Sequence, residues 1–256
     1  MTSAGKARRL RESKGTKRIS ALTVYDYPMA RLLDEAGIDI LLVGDSLGMV
    51  VLGFPDTTHV TLAHMVHHTA AVARARPRAL VLGDLPIHSY DSPVQAIASA
   101  RELMDAGADA VKLEGGSEMA ATVSVLCETG IEVVGHIGML PQHVIEEGGY
   151  RKKGKTPATA EKLLDDARAL ERAGACAIVL ESIVPEVALR VTHAIGIPTI
   201  GIGCGEITCD GEVAVITDLL GSFPWFVPPF AKPEVDLAKH IIAAAQAYRE
   251  RVHHGV

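Results

Sequence analysis

Residues 41–49 read LLVGDSLGM: an apolar run halts at Gly44, and the next two side chains, Asp45 and Ser46, are small and polar. A buried strand that opens into a site has this form. The same event recurs along the chain. ALVLGD ends on Asp84, DAVKLE on Lys112 and Glu114, and CAIVLE on Glu181. Runs that are apolar on both faces suit a parallel sheet buried on both sides rather than a half-solvated antiparallel one.

Working outward from these runs, the pattern predicts strands at 19–24, 38–43, 79–83, 110–114, 131–134, 177–181, 199–202 and 225–227. Helical periodicity fills the intervals at 29–36, 61–75, 93–106, 118–128, 158–173, 187–194, 212–220 and 235–252. Eight strands, each followed by a helix, predict a single (β/α)8 TIM barrel over residues 19–256, with a doubly wound open sheet as the alternative. Ala36-Gly37, Ala106-Gly107 and Ala173-Gly174 precede strands, as expected of helices stopped by a left-handed glycine. Two connections are long, 44–60 and 136–157. Both follow strands, so both lie on the face where barrel sites are built.

The chain has 256 residues, 48% of them hydrophobic, and a net charge of −6. Acids spread along the sequence leave no footprint for nucleic acid, and no apolar run is long enough for a membrane span. The expected partners are small molecules and further copies of the chain. Cys127, Cys176, Cys204 and Cys209 have neither the spacing of a zinc site nor the density of a secreted disulfide scaffold, so a reducing cytoplasm is expected. Residues 1–18 form a basic arm, read as a frayed terminus with a short helix around Leu10. An organellar transit peptide is the other reading of its composition.

Strand parity turns Asp45 into the barrel with Val43 and Leu41, Asp84 with Leu82 and Leu80, and Glu181 with Val179 and Ala177. Lys112 and Glu114 share a face, about 6–7 Å apart along the strand. Four strands thus deliver Asp45, Asp84, Glu114 and Glu181 to one rim. Like charges 4 Å apart repel by roughly 4 kcal/mol at an effective dielectric near 20, so the cluster calls for a cation, a shared proton or Lys112. An all-oxygen set suits Mg2+, with Mn2+ as the alternative. Asp45 and Asp84 are the favoured ligands, and Glu114 is a third, directly or through water. His64 and His68 have zinc-ligand spacing, but a packed or solvated helix face explains them better.

LTVYDYPMA, LLVGDSLGMVVLG, DLPIHSY, VKLEGG, GHIGMLPQ, GGY, IPTIGIG and CDGEV occur in this order from about Leu10 to Lys232. In these motifs the chain resembles the ketopantoate hydroxymethyltransferases of pantothenate synthesis, within the phosphoenolpyruvate/pyruvate barrel superfamily. The resemblance implies that Asp45, Asp84 and Glu114 hold Mg2+. It also implies that Asp45, Ser46, Asp84 and Lys112 contact a 2-oxoacid and that Glu181 accepts a proton. The implied reaction carries a one-carbon unit from 5,10-methylenetetrahydrofolate to 3-methyl-2-oxobutanoate, in a homodecameric enzyme.

The chemistry is consistent with those roles. Its hard step is removal of a proton beside a ketone, which a chelated cation eases by stabilising the enolate. Lys112 suits the developing oxyanion or the substrate carboxylate, and Ser46 the carboxylate. Glu181, emerging from an apolar run, is placed for a pKa raised toward the roughly 6–7 useful in a base. His136 ends strand five and is a candidate substrate contact, with a structural histidine as the other reading. The basic run Arg151, Lys152, Lys153 and Lys155 suggests attraction of the glutamate tail of the folate.

The sequence departs from the family pattern at Ile87 and His88, where Phe and Gly are usual. Lys153 stands where Gln is usual, Cys204 where Ala is usual, and Pro185 one place late. Three other readings bear on the same residues. They are a Schiff-base aldolase using Lys112, another 2-oxoacid carbon–carbon lyase, and a catalytically silent barrel acting as a scaffold.

Overall fold

A computed structural model describes residues 2–255. The elements follow in order as α1 (Ser3–Glu12), β1 (Ile19–Thr23), α2 (Tyr27–Glu35), β2 (Ile40–Val43), α3 (Leu47–Val50), α4 (Leu62–Ala73), β3 (Leu80–Asp84), α5 (Pro93–Asp105), β4 (Ala110–Glu114) and α6 (Ala120–Glu128). They continue as β5 (Val133–Gly138), α7 (Pro157–Arg172), β6 (Ala177–Glu181), α8 (Pro185–Ala194), β7 (Thr199–Ile202), β8 (Gly211–Ala214), α9 (Ile216–Leu219) and α10 (Leu237–His254). The eight strands close into a barrel in sequence order, parallel between successive strands from β1 to β8. Ile19 N donates to Asp210 O across the closure at 3.0 Å. This is the expected (β/α)8 barrel.

Local chemistry sets the element ends. Asp26, Thr61, Ser92 and Thr156 cap α2, α4, α5 and α7 by accepting a backbone N–H with the side chain. Pro93 and Pro157 occupy first-turn positions whose N–H would be unpaired in any case. Gly37, Gly107 and Gly174 hold φ of 82°, 106° and 102° after α2, α5 and α7, so the expected left-handed helix stops are present.

Ile19, Ala21, Leu80, Leu82, Ala177 and Val179 belong to one interior cluster, which also takes in Ile40, Leu42, Ala110, Val134, Ile200 and Val213. Side chains from every strand therefore fill the barrel. In β2 the inward residues are Ile40 and Leu42, so the expected inward pair Leu41 and Val43 is corrected. The strand ends at Val43, and the chain turns immediately: Leu47 N donates to Gly44 O and Gly48 N to Asp45 O. A period of two does not carry across a turn, so Asp45 reaches the rim without sharing the strand's parity.

The last part of the barrel also departs from expectation. Strand eight is Gly211–Ala214, overlapping the start of the span read as a helix, and 225–227 is not a strand. Gly211 fits because a Cβ there would come within 2.5 Å of Ile19 O, so this strand approaches β1 backbone to backbone. It offers Val213 as its single large inward group, which is little hydrophobic signal. Trp225, Phe226 and Val227 have a strand-like composition but are exposed and stand between Pro224 and Pro228, which suits irregular chain.

The basic arm is not frayed. Its helix α1 buries Ala7 and Leu10 in the interior cluster. Lys6 Nζ donates to Pro77 O, Ala79 O and Asp109 Oδ2, Arg11 to Glu132, and Lys14 to Asp210.

The chain divides into two compact units between Val213 and Ala214. In the second, Glu234 N donates to Leu219 O and Leu237 N to Leu220 O. Gly221 is required there, because its φ is 59° and a Cβ would lie 2.4 Å from Val235 O. Helix α10 buries none of its residues. Among the described residues no helix is long and apolar enough to cross a membrane.

Candidate active site

Register brings the chemistry together at the ends of the strands. Asp84 lies opposite Lys112, Glu114 opposite His136, and Gly138 opposite Glu181. The inward parity of Leu82, Ala110, Val134 and Val179 carries Asp84, Lys112 and Glu114, His136, and Glu181 to the same face. Lys112 Nζ stands 3.1 Å from Asp84 Oδ2 and 3.4 Å from His136 Nδ1. His136 bridges two acids, with Nδ1 3.4 Å from Glu114 Oε1 and Nε2 3.2 Å from Glu181 Oε2, both outside hydrogen-bond geometry.

Asp45 enters from the turn after β2. Its backbone N–H donates to Asp84 Oδ2 at 3.1 Å. Gly44 leaves room for this approach, since a Cβ there would lie 3.0 Å from Ser46 Oγ and 3.6 Å from Asp84 Oδ2. Ser46 Oγ is 3.0 Å from the Tyr25 hydroxyl, which also donates to Thr23 Oγ1. All the sequence-predicted site residues therefore meet at one end of the barrel.

Gln142 was quoted in GHIGMLPQ but given no role, and it proves central. It is buried on a 3-10 turn, Pro141–His143, beyond β5. Its Nε2 donates to Asp45 Oδ2 at 2.8 Å and to Leu85 O at 2.9 Å, and its backbone N–H donates to Glu114 Oε2 at 3.1 Å. The Tyr90 hydroxyl donates to its Oε1. A buried glutamine with both side-chain polar atoms engaged is a positioning device. The signal was one of position, because an amide just past β5 sits on the site face.

The electrostatics follow from crowding. Burial, then the charges of Asp84 and Glu114, push the Asp45 carboxyl up to about 8. Burial also raises Asp84, against the pull of Lys112. Burial opposes the Lys112 ammonium, but Asp84, Glu114 and Asp45 together drive it upward. Burial and Lys112 oppose the His136 imidazolium, yet Glu114 and Glu181 hold it up, at about 9.

The oxygens left over bear on a metal. Asp84 Oδ1 and Glu114 Oε1 are buried acceptors with no hydrogen-bond partner, a costly state that a cation relieves. Among the described residues no three His, Cys, Asp or Glu side chains form a ready-made cage. Mg2+ does not need one, because it keeps several waters and binds through one or two carboxylates. The donor set fits Mg2+, with Asp45, Asp84 and Glu114 as the residues that could hold it. His64 and His68 are otherwise engaged: His64 closes the cap of α4, and His68 Nδ1 lies 2.7 Å from Tyr25 O.

The two long connections meet beside this rim. The first is structured, with α3 and a 3-10 turn at Thr57–His59. Tyr150 of the second touches Met49 of the first, hydroxyl to sulfur at 3.8 Å. The second is also tied to the chain beyond Glu181: Lys153 N donates to Ser182 O, and Val184 N donates to Lys153 O. Within the basic run, Lys153 pairs with Glu147 at 2.6 Å. His88 holds a φ of 63°, which accounts for glycine being usual there.

Residues 5–256 match the family described as Ketopantoate hydroxymethyltransferase. A 3-methyl-2-oxobutanoate hydroxymethyltransferase of Ignicoccus hospitalis is 51% identical over 247 residues, covering 96% of this chain and 93% of that protein. One from Oleidesulfovibrio alaskensis is 50% identical over 248 residues, covering 96% and 86%. Among solved structures, a 2,3-dimethylmalate lyase described as a PEP mutase/isocitrate lyase superfamily member aligns with a TM-score of 0.66 at 21% identity. That alignment covers 100% of this chain and 89% of the lyase, and it shows a shared fold. With half its residues identical over nearly its whole length to such enzymes, the chain belongs to the ketopantoate hydroxymethyltransferase family.

Proposed function

We propose that the protein transfers a hydroxymethyl group to 3-methyl-2-oxobutanoate, forming 2-dehydropantoate for pantothenate synthesis, with 5,10-methylenetetrahydrofolate and water supplying the one-carbon unit. The observation that carries the reading is the rim itself: Asp84, Lys112, Glu114 and Glu181 face one space, with two buried carboxylate oxygens unpartnered. A divalent cation, Mg2+ or Mn2+, held there by Asp45 and Asp84 with Glu114 through water, would supply Lewis-acid stabilisation of an enolate.

This chain's residues do the rest. Glu181 is the base that takes the proton from C3, and His136, 3.2 Å away, orients its carboxylate and is placed to contact substrate. Lys112, kept charged by three acids, holds the substrate carboxylate or the developing oxyanion. Ser46, set by Tyr25, donates to the carboxylate. Gln142 fixes Asp45 and Glu114 relative to each other. Lys152 and Lys155 attract the glutamate tail of the folate. A lysine held as ammonium is a poor imine former, which disfavours the Schiff-base reading.

The enzyme acts in the cytoplasm as a homo-oligomer on this reading. An α10 that exposes Ile241, Ile242, Tyr248 and Val252 supports association with further copies. The test of the chemistry is Mg2+-dependent exchange of the C3 proton of 3-methyl-2-oxobutanoate, followed by NMR in D2O with and without tetrahydrofolate. Glu181→Gln should lose the exchange. A Glu181→Gln enzyme exchanging at the parent rate removes the assigned base.

A further inference from the structure

From Asp45 to Glu181, the side chains that ring the rim are polar. They suit the carboxylate and ketone of a 2-oxoacid, and none of them matches a branched hydrocarbon end, which needs apolar lining when bound. C3 carries that end. Because Glu181 takes the proton from C3, the apolar lining belongs beside Glu181.

The connection from β5 to α7 passes this place. It is fixed on one side by Gln142, which donates to Asp45 and Glu114. On the other side Lys153 N donates at 2.8 Å to the carbonyl of Ser182, the residue after Glu181, and Val184 N donates back to Lys153 O at 3.0 Å. Tyr150 stands three residues before that second anchor, so its backbone lies at most about 11 Å from it. Its hydroxyl meets Met49 Sδ at 3.8 Å, and Met49 belongs to α3, which opens two residues past Asp45. The tyrosine therefore reaches from the Glu181 edge of the rim toward the Asp45 edge. Partial burial, then the charges of Glu181, Asp45, Asp56 and Glu114, push its hydroxyl up to about 12, in keeping with a place above the acids.

Tyr150 is nevertheless 52% exposed, which leaves ring surface free to pack on a ligand. Gly148 and Gly149 precede it at φ of 67° and 109°. A Cβ on Gly149 would meet nothing within 4 Å, so the ring is carried on a backbone joint with open space around it.

We propose that Tyr150, with Met49, forms the apolar cover over C3 of the bound 2-oxoacid, the tyrosine ring packing on the branched tail and so selecting 3-methyl-2-oxobutanoate over unbranched 2-oxoacids. This rests on the hydroxymethyltransferase reading and adds the side of the site that the polar rim leaves open. Glu181 remains the base; Tyr150 selects the substrate and shields the carbon that reacts. Ring area carries the effect, so Phe should serve where Ala does not.

The full-length protein with saturating Mg2+ is titrated calorimetrically with 3-methyl-2-oxobutanoate and with pyruvate, neither titration involving folate. The parent should prefer the branched acid. In Tyr150→Ala the ratio of the two dissociation constants should fall on the order of tenfold, with the affinity for pyruvate unchanged, and Tyr150→Phe should keep the parent ratio. Hydrogen–deuterium exchange of the amides of residues 145–152 should slow when the branched acid joins the Mg2+-loaded parent. A parent that prefers the branched acid, with Tyr150→Ala keeping its ratio or Tyr150→Phe losing it, overturns this inference alone. So does exchange over 145–152 that ignores the bound acid. A parent with no affinity for either acid overturns the hydroxymethyltransferase reading, and this inference with it.

Discussion

Lys112 and Asp84, opposite each other in the register of β4 and β3, meet at 3.1 Å with both side chains almost wholly buried. Lys112 is the cation nearest to a cluster that also holds Asp45 and Glu114. Replacing it by Met leaves buried acids without that partner, which costs about 3–5 kcal/mol for a broken buried pair. Unfolding by urea in EDTA should show this loss, and saturating Mg2+ should restore part of it by binding the folded state. Equal stability of Lys112→Met and the parent in EDTA would sink the reading.

Gln142 ties Asp45 to Glu114 by two donated hydrogen bonds. Gln142→Leu removes the side-chain donor and strands Asp45 Oδ2 and Leu85 O, at a cost of about 1–3 kcal/mol. Loss of a group that orients ligands also lowers metal affinity by roughly 10–100-fold. Calorimetric titration with Mn2+ checks this, and an unchanged Kd would make Gln142 a packing residue only.

Gly138 lies beside the proposed base. Its φ is 106°, and a Cβ would come within 2.3 Å of Glu181 O and 2.9 Å of Ile183 Cγ1. Gly130, at a φ of 82°, has open space around its missing Cβ. Gly130→Ala therefore reports conformational strain alone, on the order of 1–2 kcal/mol. Gly138→Ala should cost more and should also slow C3 exchange by moving the end of β6. Similar thermal midpoints for the two variants, with exchange intact in both, would contradict this account.

Asp218, in α9, has its carboxyl raised to about 6 by burial. A raised acid favours the protonated folded state, so its stabilising contribution is complete below the unfolded pKa near 4. It is lost as pH rises through about 6. Asp218→Asn should raise the thermal midpoint at pH 7–8 and leave it unchanged at pH 4. A shift of equal size at both pH values would assign the effect to packing.

Much of this was legible because the barrel repeats one simple event, an apolar strand ending in a polar group. Asp84, Lys112, Glu114 and Glu181 were readable from parity because their strands run straight to the rim. Asp45 reached the rim by another route, since the turn at Gly44 breaks the alternation. Strand eight was hidden because it joins β1 through the bare backbone of Gly211, where no side-chain pattern can report it. Trp225 to Val227 misled for the converse reason, having strand-forming side chains between prolines. Gln142 stayed unassigned because its place just past β5 marks the face it sits on but not its four partners, which come from different parts of the chain.

Helix α1 has a consequence for how the chain is made. Lys14, just beyond it, pairs with Asp210, 196 residues further along, and Leu10 of the helix belongs to the interior cluster with Val213. At about 5–20 residues per second, synthesis takes roughly 10–40 s to supply those partners. For that interval α1 is a short, strongly basic amphipathic segment whose place against the interior cluster is only partly built. Closure of the barrel through β8 is therefore the event that completes the seat of α1.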